Sequence, residues 1–478
     1  MTPLIGRHQE QETLGRAFES NEPELIAIIG RRRVGKTFLV RSFFKDSLRF
    51  EMTGIHDAQR LLQLRNFSDQ LARAMKTDLR PEPPKDWYEA FQQLIRFLET
   101  KNGKGRKVVF FDELPWLASR RSGFLSALEH FWNSWASRQP NVLVVICGSA
   151  ASWMIDHIIN NRGGLYQRVT RKLNLKPFSL AEVAEYFKSR SVRYEPRQIA
   201  ELNMALGGIP HYLREVRSGL SAAQNIEQIC FNPQGILVDE YSQLYGSLFE
   251  NPDRHVEIIE TLARRLGGLT RGSLLDALEY TSGGRLTKTI EELMVSGFIE
   301  RVEPWGKESR DASYRLIDEF SLFYLKWMKR RSRSSKATWL DKRGTPAWYA
   351  WSGFAFENIC HRHIAEIKRE LGIASVETQH GCWQYRPKST TQQGAQIDLL
   401  IDRRDDVINL CEIKYADDQF VIDQKYAKQL RQKIDVFRQV TKTRKTVHLT
   451  MITTFGVKQN QYSSDLVDSQ VILSGLVR

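Results

Sequence analysis

Three apolar runs in the first half of the chain predict buried β-strands. They lie within residues 25–29, 107–111 and 141–147. Strands of a parallel sheet that helices cover on both faces have this continuous apolar pattern, whereas a half-exposed strand alternates apolar and polar residues. Apolar residues between the runs recur at helical spacing, and a helical section opens at Leu175. The pattern predicts an α/β domain over residues 1–220, a parallel sheet with a helical lid.

The middle of the chain, residues 221–345, shows helical spacing three times and then a short hairpin. The third helix is predicted near residues 284–296, and the hairpin follows from Gly297. This order is typical of a winged helix-turn-helix, whose third helix can enter a DNA major groove. Glu291 and Glu292 lie on that helix and argue against strong groove binding. The basic run Lys329–Lys336 predicts a solvated linker or a contact with backbone phosphates.

The last part, residues 346–478, predicts a smaller α/β domain. Its expected elements are a helix that includes Phe354–Glu357, strands at 396–401 and 407–414, and a helix at 426–437. Alternate residues of a strand share a face, so Glu412 and Lys414 point the same way. Asp398 on the neighbouring strand can meet them across the pair. Charged side chains at these positions of apolar strands indicate a functional site.

Composition and charge predict the kind of partner and the cellular compartment of the protein. The 478 residues suggest about three domains, and a formal net charge of +14 favours a polyanion such as DNA. The five cysteines form no C-x-x-C pair, so neither a disulfide framework nor a zinc module is expected. There is no signal-peptide pattern, and no apolar stretch approaches the roughly 20 residues of a membrane span. We expect a cytoplasmic protein that does not insert into a membrane.

The segment after the first apolar run has the pattern of a phosphate-binding loop. It reads Gly30, Arg31, Arg32, Arg33, Val34, Gly35, Lys36 and Thr37. The two glycines let the backbone turn and aim its N–H groups at phosphate oxygens. Lys36 can reach the β- and γ-phosphates, and the Thr37 hydroxyl can coordinate Mg²⁺. The expected ligands are therefore ATP and Mg²⁺.

Polar residues follow the other two predicted strands. We expect Asp112 to hold the magnesium shell and Glu113 to act as general base towards the attacking water. Ser149 is a candidate γ-phosphate sensor, although a helix N-cap is an equal alternative. Arg168, with Arg162 second, can supply positive charge to the transferring phosphoryl group, within its own subunit or on a neighbour in a homo-oligomer. A solvated basic loop is the alternative for these arginines.

These motifs occur in order over residues 1–220 and resemble a known family. The motifs are GRRRVGKT, FFDELPWL, GSA, LYQR and GGIPHYL. They are similar to the archaeal-type P-loop ATPase family of the AAA+/STAND group, which implies Walker A roles for Lys36 and Thr37 and Walker B roles for Asp112 and Glu113. Members usually carry Gly before the Arg of the LYGR loop, where this chain has Gln167. The resemblance also implies that the winged helix can serve as a packing or coupling module.

The C-terminal pattern resembles the PD-(D/E)xK nuclease superfamily. Asp398 matches the motif Asp, Glu412 and Lys414 match E-x-K, and Glu357 matches the helix-borne acid. The resemblance implies Mg²⁺ at Asp398 and Glu412, with Lys414 orienting water or stabilising the phosphorane. The sequence thus predicts an ATPase coupled to a Mg²⁺-dependent DNA endonuclease-like domain. The alternative is a nucleotide-controlled DNA-binding regulator whose nuclease fold is inactive.

Overall fold

A computed structural model describes residues 3–79, 81–100, 105–119, 121–159, 165, 167–249, 251–280, 283–306, 312–329, 338–387 and 393–478. The chain forms two compact units. The first comprises Met1–Pro177 with the short pieces Gly246–Glu250 and Val295–Gly297. The second comprises Phe178–Tyr245, Asn251–Met294 and Phe298–Arg478. The helical segment after Pro177, which we had grouped with residues 1–220, lies in the second unit.

The first unit is built on a parallel sheet. Its described strands are β1 (Glu24–Ile29), β2 (Leu48–Thr53), β3 (Lys107–Asp112), β4 (Val142–Gly148) and β5 (Arg171–Asn174), in the order β2-β3-β4-β1-β5. The predicted parallel α/β sheet is therefore confirmed, and its central strands are the three apolar runs. The edge strands β2 and β5 were not predicted, because LRFEMT and RKLN contain no continuous apolar run.

Helices cover this sheet. They are α1 (His8–Glu19), α2 (Lys36–Phe43), α3 (Arg60–Met75), α4 (Trp87–Thr100), α5 (Leu114–Leu117), α6 (Phe124–Ser134) and α7 (Ala151–Met154), with a 3₁₀ turn at Ala136–Arg138 and a π-helical turn at Ile155–Ile159. Aromatic rings fill the layer between α4, α6 and β3. Phe91 stacks on Phe131 with centroids 4.9 Å apart, and Phe111 lies 5.6 Å from Phe91. This packing fixes β3, whose end carries Asp112.

Arg106 is a buried cation just before β3. Its side chain donates hydrogen bonds to the carbonyl oxygens of Ala17 (2.6 Å), Glu22 (2.8 Å) and Pro140. The residue is only 8% exposed. Arg106 therefore joins the end of α1 to the loop that precedes β4.

The second unit begins with helices and a small antiparallel sheet. The helices are α8 (Leu180–Ser189), α9 (Pro196–Leu206), α10 (Pro210–Leu213), α11 (Ala222–Ile226), α12 (Glu240–Gly246), α13 (Pro252–Ala263), α14 (Arg271–Ala277), α15 (Gly283–Val295) and α16 (Glu319–Phe323), with π-helical turns at Glu227–Phe231 and Tyr324–Met328. The sheet has strands β6 (Leu269–Thr270), β7 (Ile299–Val302) and β8 (Ser313–Leu316) in the order β6-β8-β7. Three helices and a hairpin were predicted here, and the winged-helix identity stays a prediction. Most of the basic run Lys329–Lys336 lies outside the described residues.

The C-terminal part of the second unit is a mixed sheet between helices. Its strands are β9 (Thr378–Tyr385), β10 (Ala395–Arg403), β11 (Val407–Lys414), β12 (Thr446–Thr453) and β13 (Ser469–Ile472). Its helices are α17 (Pro346–Arg362) and α18 (Ile364–Glu370) before β9, α19 (Gln424–Thr441) between β11 and β12, α20 (Gln461–Leu466) before β13, and α21 (Leu473–Leu476) after it. The strand order is β13-β12-β11-β10-β9, with β9, β10 and β11 antiparallel and β11, β12 and β13 parallel. In the described part of the chain, no helix combines the length and apolar character that crossing a membrane requires.

We predict that Arg106→Met destabilises the first unit. The substitution removes the hydrogen-bond donor of three carbonyl oxygens, of which that of Ala17 belongs to a buried residue and those of Glu22 and Pro140 to exposed ones, and a loss of about 1–3 kcal/mol is expected. Arg138→Met, at an exposed position of the same unit, is the matched control and should stay within about 0.5 kcal/mol of wild type. Thermal unfolding followed by circular dichroism checks both. Equal midpoints for the two variants would contradict the role of Arg106.

Candidate functional site

The loop between β1 and α2 has the geometry that phosphate binding requires. Gly35 adopts φ 97° at the N-terminus of α2, a conformation that favours glycine, and the chain turns directly into the helix. The Lys36 ammonium donates hydrogen bonds to the carbonyl oxygens of Gly30 (2.8 Å) and Arg31 (3.1 Å) and is only 5% exposed. Lys36 is thereby held along the inner side of the loop, next to the helix N-terminus that attracts anions.

The ends of α2, β3 and β4 meet through a chain of hydrogen bonds. The Thr37 hydroxyl donates to Asp112 Oδ2 over 2.7 Å, and the backbone N–H of Glu113 donates to Asp112 Oδ1 over 3.0 Å. Ser149 donates to Glu113 Oε2 from its backbone N–H (3.1 Å) and its hydroxyl (2.6 Å). The structure therefore brings together Thr37, Asp112, Glu113 and Ser149. Ser149 contacts the candidate base and does not cap a helix through its side chain.

The three loop arginines have different surroundings. Arg31 is buried, Arg32 is exposed, and Arg33 is half-buried with φ 70°. Sequence reasoning missed a fourth arginine, Arg7, whose guanidinium donates to the carbonyl oxygen of Val34 over 3.0 Å. The signal that could have identified it is the Gly6-Arg7 pair just before the first helix.

The structure does not bring Arg168 into this hydrogen-bonded chain. Arg168 is exposed, in a turn where its backbone N–H donates to the carbonyl oxygen of Leu165. Gln167 has φ 57°, the left-handed conformation that a glycine would adopt more easily. Gln167 therefore adopts a backbone conformation that favours glycine, although it carries a side chain. Arg162 lies outside the described residues.

A second cluster of charged side chains forms at the paired strands β10 and β11. Leu399 pairs with Cys411, so Asp398 and Glu412 are the next neighbours across the two strands. The Lys414 ammonium lies 3.3 Å from Glu412 Oε2 and 3.9 Å from Asp398 Oδ2. Asp398 Oδ2 also accepts the backbone N–H of Ile413 over 3.2 Å. The three residues that the motif predicted to converge do converge.

Helix α19 adds two residues that sequence reasoning did not assign to the site. Lys433 forms an ion pair with Glu412 Oε1, and Tyr426 donates its hydroxyl hydrogen to Glu412 Oε2 over 2.7 Å. The partner of Lys433 was not predictable, because nothing in the sequence fixes how α19 lies on the sheet. Glu412 is therefore held by two lysines and a tyrosine.

The carboxyl groups of this cluster have different proton affinities. Burial, together with the negative charge of Asp398, raises the pKa of Glu357 to about 7. Burial and the charge of Glu412 also raise the pKa of Asp398. Burial acts in the same direction on Glu412, but the charges of Lys414 and Lys433 outweigh it and hold the pKa of Glu412 below its usual range. At neutral pH Glu412 is the firmly ionised member.

The donor chemistry of both clusters suits Mg²⁺, which prefers oxygen ligands and keeps several positions for water and phosphate. Thr37 with Asp112 offers a hydroxyl and a carboxylate, and Asp398 with Glu412 offers two carboxylates. Among the residues that the structure describes, no group of three or more His, Cys, Asp or Glu side chains is arranged to hold a metal ion. Neither cluster is thus a complete protein cage, and water and phosphate oxygens would complete the coordination.

Comparison with known proteins supports the first of these clusters. Residues 4–216 match the model of a family described as an ATPase domain predominantly from Archaea. A protein of Methanocaldococcus jannaschii, itself named only as uncharacterized, is 24% identical over 419 residues, 87% of this chain and 88% of the relative. An uncharacterized ATP-binding protein of the same organism is 43% identical over 43 residues, 9% of this chain and 73% of the relative.

Two solved structures are also similar to the chain. A Walker-type ATPase of Pyrococcus abyssi is 21% identical with a TM-score of 0.49, and the match covers 68% of this chain and 97% of that one. The ORC2 protein of Aeropyrum pernix, solved as ADPNP–ADP complexes, is 16% identical with a TM-score of 0.43, covering 68% of this chain and 93% of that one. The family match includes every residue of the phosphate-loop cluster and ends before the second cluster. The chain therefore carries, in residues 4–216, an ATPase domain of this predominantly archaeal family.

Proposed function

We propose that the chain binds ATP with Mg²⁺ at the loop Gly30–Thr37 and hydrolyses it. The observation that carries this proposal is the 2.7 Å hydrogen bond from Thr37 to Asp112, which places a hydroxyl and a carboxylate next to the loop lysine. In this site the loop N–H groups and Lys36 bind the phosphates, and Thr37 and Asp112 hold the ion. Mg²⁺, when bound, neutralises charge that develops on the phosphoryl oxygens.

Glu113 is the proposed general base. Both hydrogen bonds from Ser149 reach Oε2 of Glu113, so Oε1 is the oxygen that would accept the proton of the attacking water. A movement of Glu113 when the γ-phosphate is lost can be passed to β4 through the same contact, since Ser149 follows β4 directly. Arg168 is proposed to supply positive charge to the phosphoryl group, from its own subunit or from a neighbouring copy.

We predict that Glu113→Gln separates ATP binding from hydrolysis. The amide keeps the shape of the side chain but accepts no proton, so kcat should fall about a hundredfold or more. The dissociation constant for ATP with Mg²⁺ should change less than about threefold, because Lys36, Thr37 and Asp112 remain. Phosphate release and titration calorimetry measure the two quantities.

Glu12→Gln is the matched control for this experiment, since Glu12 is an exposed residue that pairs with Arg16 on the surface of the same unit. It should leave kcat and ATP affinity unchanged. A Glu113→Gln enzyme that hydrolyses ATP at the rate of the control would remove Glu113 from the mechanism.

The second cluster supports a further proposal, a Mg²⁺-dependent DNA endonuclease activity of residues 346–478. The observation that favours it is the convergence of Asp398, Glu412 and Lys414 within 4 Å contacts. In this proposal Asp398 and Glu412 hold the ion. Lys414 orients a water that attacks phosphorus and stabilises the phosphorane while the P–O bond to the leaving strand breaks. The net charge of +14 is consistent with DNA as the partner.

The alternative is a nucleotide-controlled DNA-binding regulator that does not cut. It is favoured by the contacts of Glu412, whose two oxygens are engaged by Lys433, Lys414 and Tyr426. A side chain held in this way coordinates a cation only after it gives up part of this network. DNA that stimulates ATP hydrolysis without strand breaks would support the regulator.

We predict that Lys414→Ala and Asp398→Asn each abolish Mg²⁺-dependent nicking of plasmid DNA. The first removes the cation beside the proposed metal ligands, and the second removes one ligand charge. Lys458→Ala, an exposed lysine of the same domain, is the control and should nick at the wild-type rate. Agarose gels of supercoiled plasmid with ATP, with ADP and without nucleotide give the readout. Nicking by Lys414→Ala at the rate of Lys458→Ala would refute this assignment.

The raised pKa of Glu357 leads to a pH-dependent stability effect. The folded chain retains a proton on Glu357 up to about pH 7, whereas the unfolded chain loses it near 4.5, the ordinary pKa of a glutamate. Between these values the folded state binds more protons, so this group's contribution to stability falls as the pH rises. Glu357→Gln removes the ionisation, and its midpoint of thermal unfolding relative to wild type should therefore be higher at about pH 8 than at about pH 5.

The control for this comparison is Glu377→Gln, an exposed glutamate of the same domain. Its midpoint relative to wild type should not depend on pH. A difference between Glu357→Gln and wild type that is the same at both pH values would show that Glu357 does not retain its proton in the folded state.

A further inference from the structure

An aromatic cleft lies beside the second cluster and has no part in the chemistry described so far. It belongs to the second unit and has a volume of about 670 Å³, within the range of ligand pockets. It is lined by Trp305, Gly306, Trp383, Gln384, Tyr385, Arg386, Val440 and Thr441. The lining therefore combines three large aromatic rings with a guanidinium group.

The aromatic rings of the cleft are held in place. Trp383 and Tyr385 project from the same side of β9, with ring planes 18° apart and centroids separated by 6.5 Å. Phe437 supports Trp383 and Trp305 from behind, with centroid distances of 5.1 Å and 5.6 Å. The Trp305 indole N–H donates to Asp402 Oδ2 over 3.0 Å. Rings fixed in this way lose little freedom when another planar group stacks on them.

Basic residues lie at the cleft and on the helix that ends at it. Arg386 lines the cleft and is exposed, and Lys442 follows Thr441 directly at the end of α19. Residues 424–445 contain a single acid, Asp435, and eight basic residues: Lys425, Lys428, Arg431, Lys433, Arg438, Lys442, Arg444 and Lys445. Arg431, Lys433 and Lys445 are ion-paired with Asp465, Glu412 and Asp402. Positive charge next to aromatic faces is the combination by which proteins hold unpaired nucleotides.

Helix α19 spans the distance between the cleft and the charged cluster. Lys433 reaches Glu412, and Val440 lines the cleft. Phe437 lies between them and is fully buried against Trp383, so a bound strand would follow the solvent side of α19. Val440 lies seven positions after Lys433, which corresponds to about 10 Å of helix. A strand bound in the cleft would have about this length of helix to follow before it reached the cluster.

We propose that this cleft binds unpaired bases of single-stranded DNA and that the strand continues along α19 towards Asp398 and Glu412. The proposal rests on the proposed DNA function and names its substrate class, DNA with a single-stranded segment. Bases of a duplex present only their edges, since their faces are stacked, so the flat rings of the cleft favour unpaired nucleotides over a double helix. Arg386 and Lys442 bind the backbone phosphates of the same strand.

The test is binding of a fluorescein-labelled oligothymidylate of about 12 nucleotides, followed by anisotropy with excess EDTA so that neither cutting nor ATP hydrolysis intervenes. The full chain should bind this probe more tightly than a duplex of equal length. Tyr385→Ala should weaken binding about tenfold, because one stacking face is lost. The same variant should bind an abasic oligomer of equal length as wild type does, since the phosphate contacts remain. Arg386→Glu should weaken binding of both oligomers.

Tyr88→Ala is the matched control, because Tyr88 is an exposed tyrosine of the first unit, 53% accessible. It should bind like wild type. Tyr385→Trp guards against a folding defect, since it keeps an aromatic face and should restore affinity. A further readout uses the unsubstituted chain: 2-aminopurine placed in the oligomer should lose fluorescence on binding, because stacking quenches it.

Three results would overturn the proposal. The first is tighter binding of the duplex than of the single strand. The second is an equal loss of affinity for the thymidylate and abasic oligomers in Tyr385→Ala. The third is displacement of the oligomer by micromolar dTMP, which would make the cleft a mononucleotide pocket.

Failure of the cleft proposal is distinguishable from failure of the nuclease proposal. If bases stack in the cleft but no Mg²⁺-dependent nicking is found, the cleft proposal stands and the nuclease proposal is wrong. If the DNA is nicked but no bases stack, the nuclease proposal stands and the cleft proposal is wrong.

Discussion

The hydrogen bond between the Thr37 hydroxyl and Asp112 Oδ2 is the contact on which the phosphate-loop site depends. Its two residues come from different parts of the sheet, since β4 lies between β1 and β3. The bond forms because parallel strands end at one edge, and because β3 is packed so that Asp112 rather than Phe111 faces the loop. A shift of β3 by one residue would turn the carboxylate to the other face of the sheet. The aromatic layer of Phe91, Phe111 and Phe131 therefore has a functional consequence, because it fixes that register.

How far the sequence predicts this molecule depends on the kind of signal. Continuous apolar runs identified β1, β3 and β4, and turn and loop chemistry placed Lys36, Thr37, Asp112 and Glu113 at one edge. Polar or alternating edge strands such as β2, β5 and β9 have no such signal, since tertiary pairing and not composition makes them strands. Arg106 illustrates the same limit, because its burial follows from three carbonyl partners that are distant in sequence.

The charged cluster of the C-terminal domain shows a different limit. The E-x-K spacing and the strand pair were enough to predict that Asp398, Glu412 and Lys414 converge, because strand geometry fixes which side chains share a face. The spacing could not predict Lys433 and Tyr426, which depend on the way α19 lies across the sheet. Lys433 changes the electrostatics of the site, because the motif itself contains one cation, Lys414, whereas the folded site contains two.

The presence of Lys433 makes the two clusters differ in what a metal ion must displace when it binds. At the phosphate loop the carboxylate of Asp112 accepts hydrogen bonds from a neutral hydroxyl and a backbone N–H, and within the part of the chain that the structure describes it forms no ion pair. At the C-terminal cluster Lys414 and Lys433 already compensate Glu412, while burial favours the protonated forms of Asp398 and Glu357. A cation bound there must displace an ammonium group or a proton, and a phosphate that attracts Lys414 and Lys433 makes that exchange easier. Under the proposed nuclease function, metal and DNA would therefore bind this cluster cooperatively, and α19, which carries Lys433 and part of the aromatic cleft, would be the element through which one favours the other.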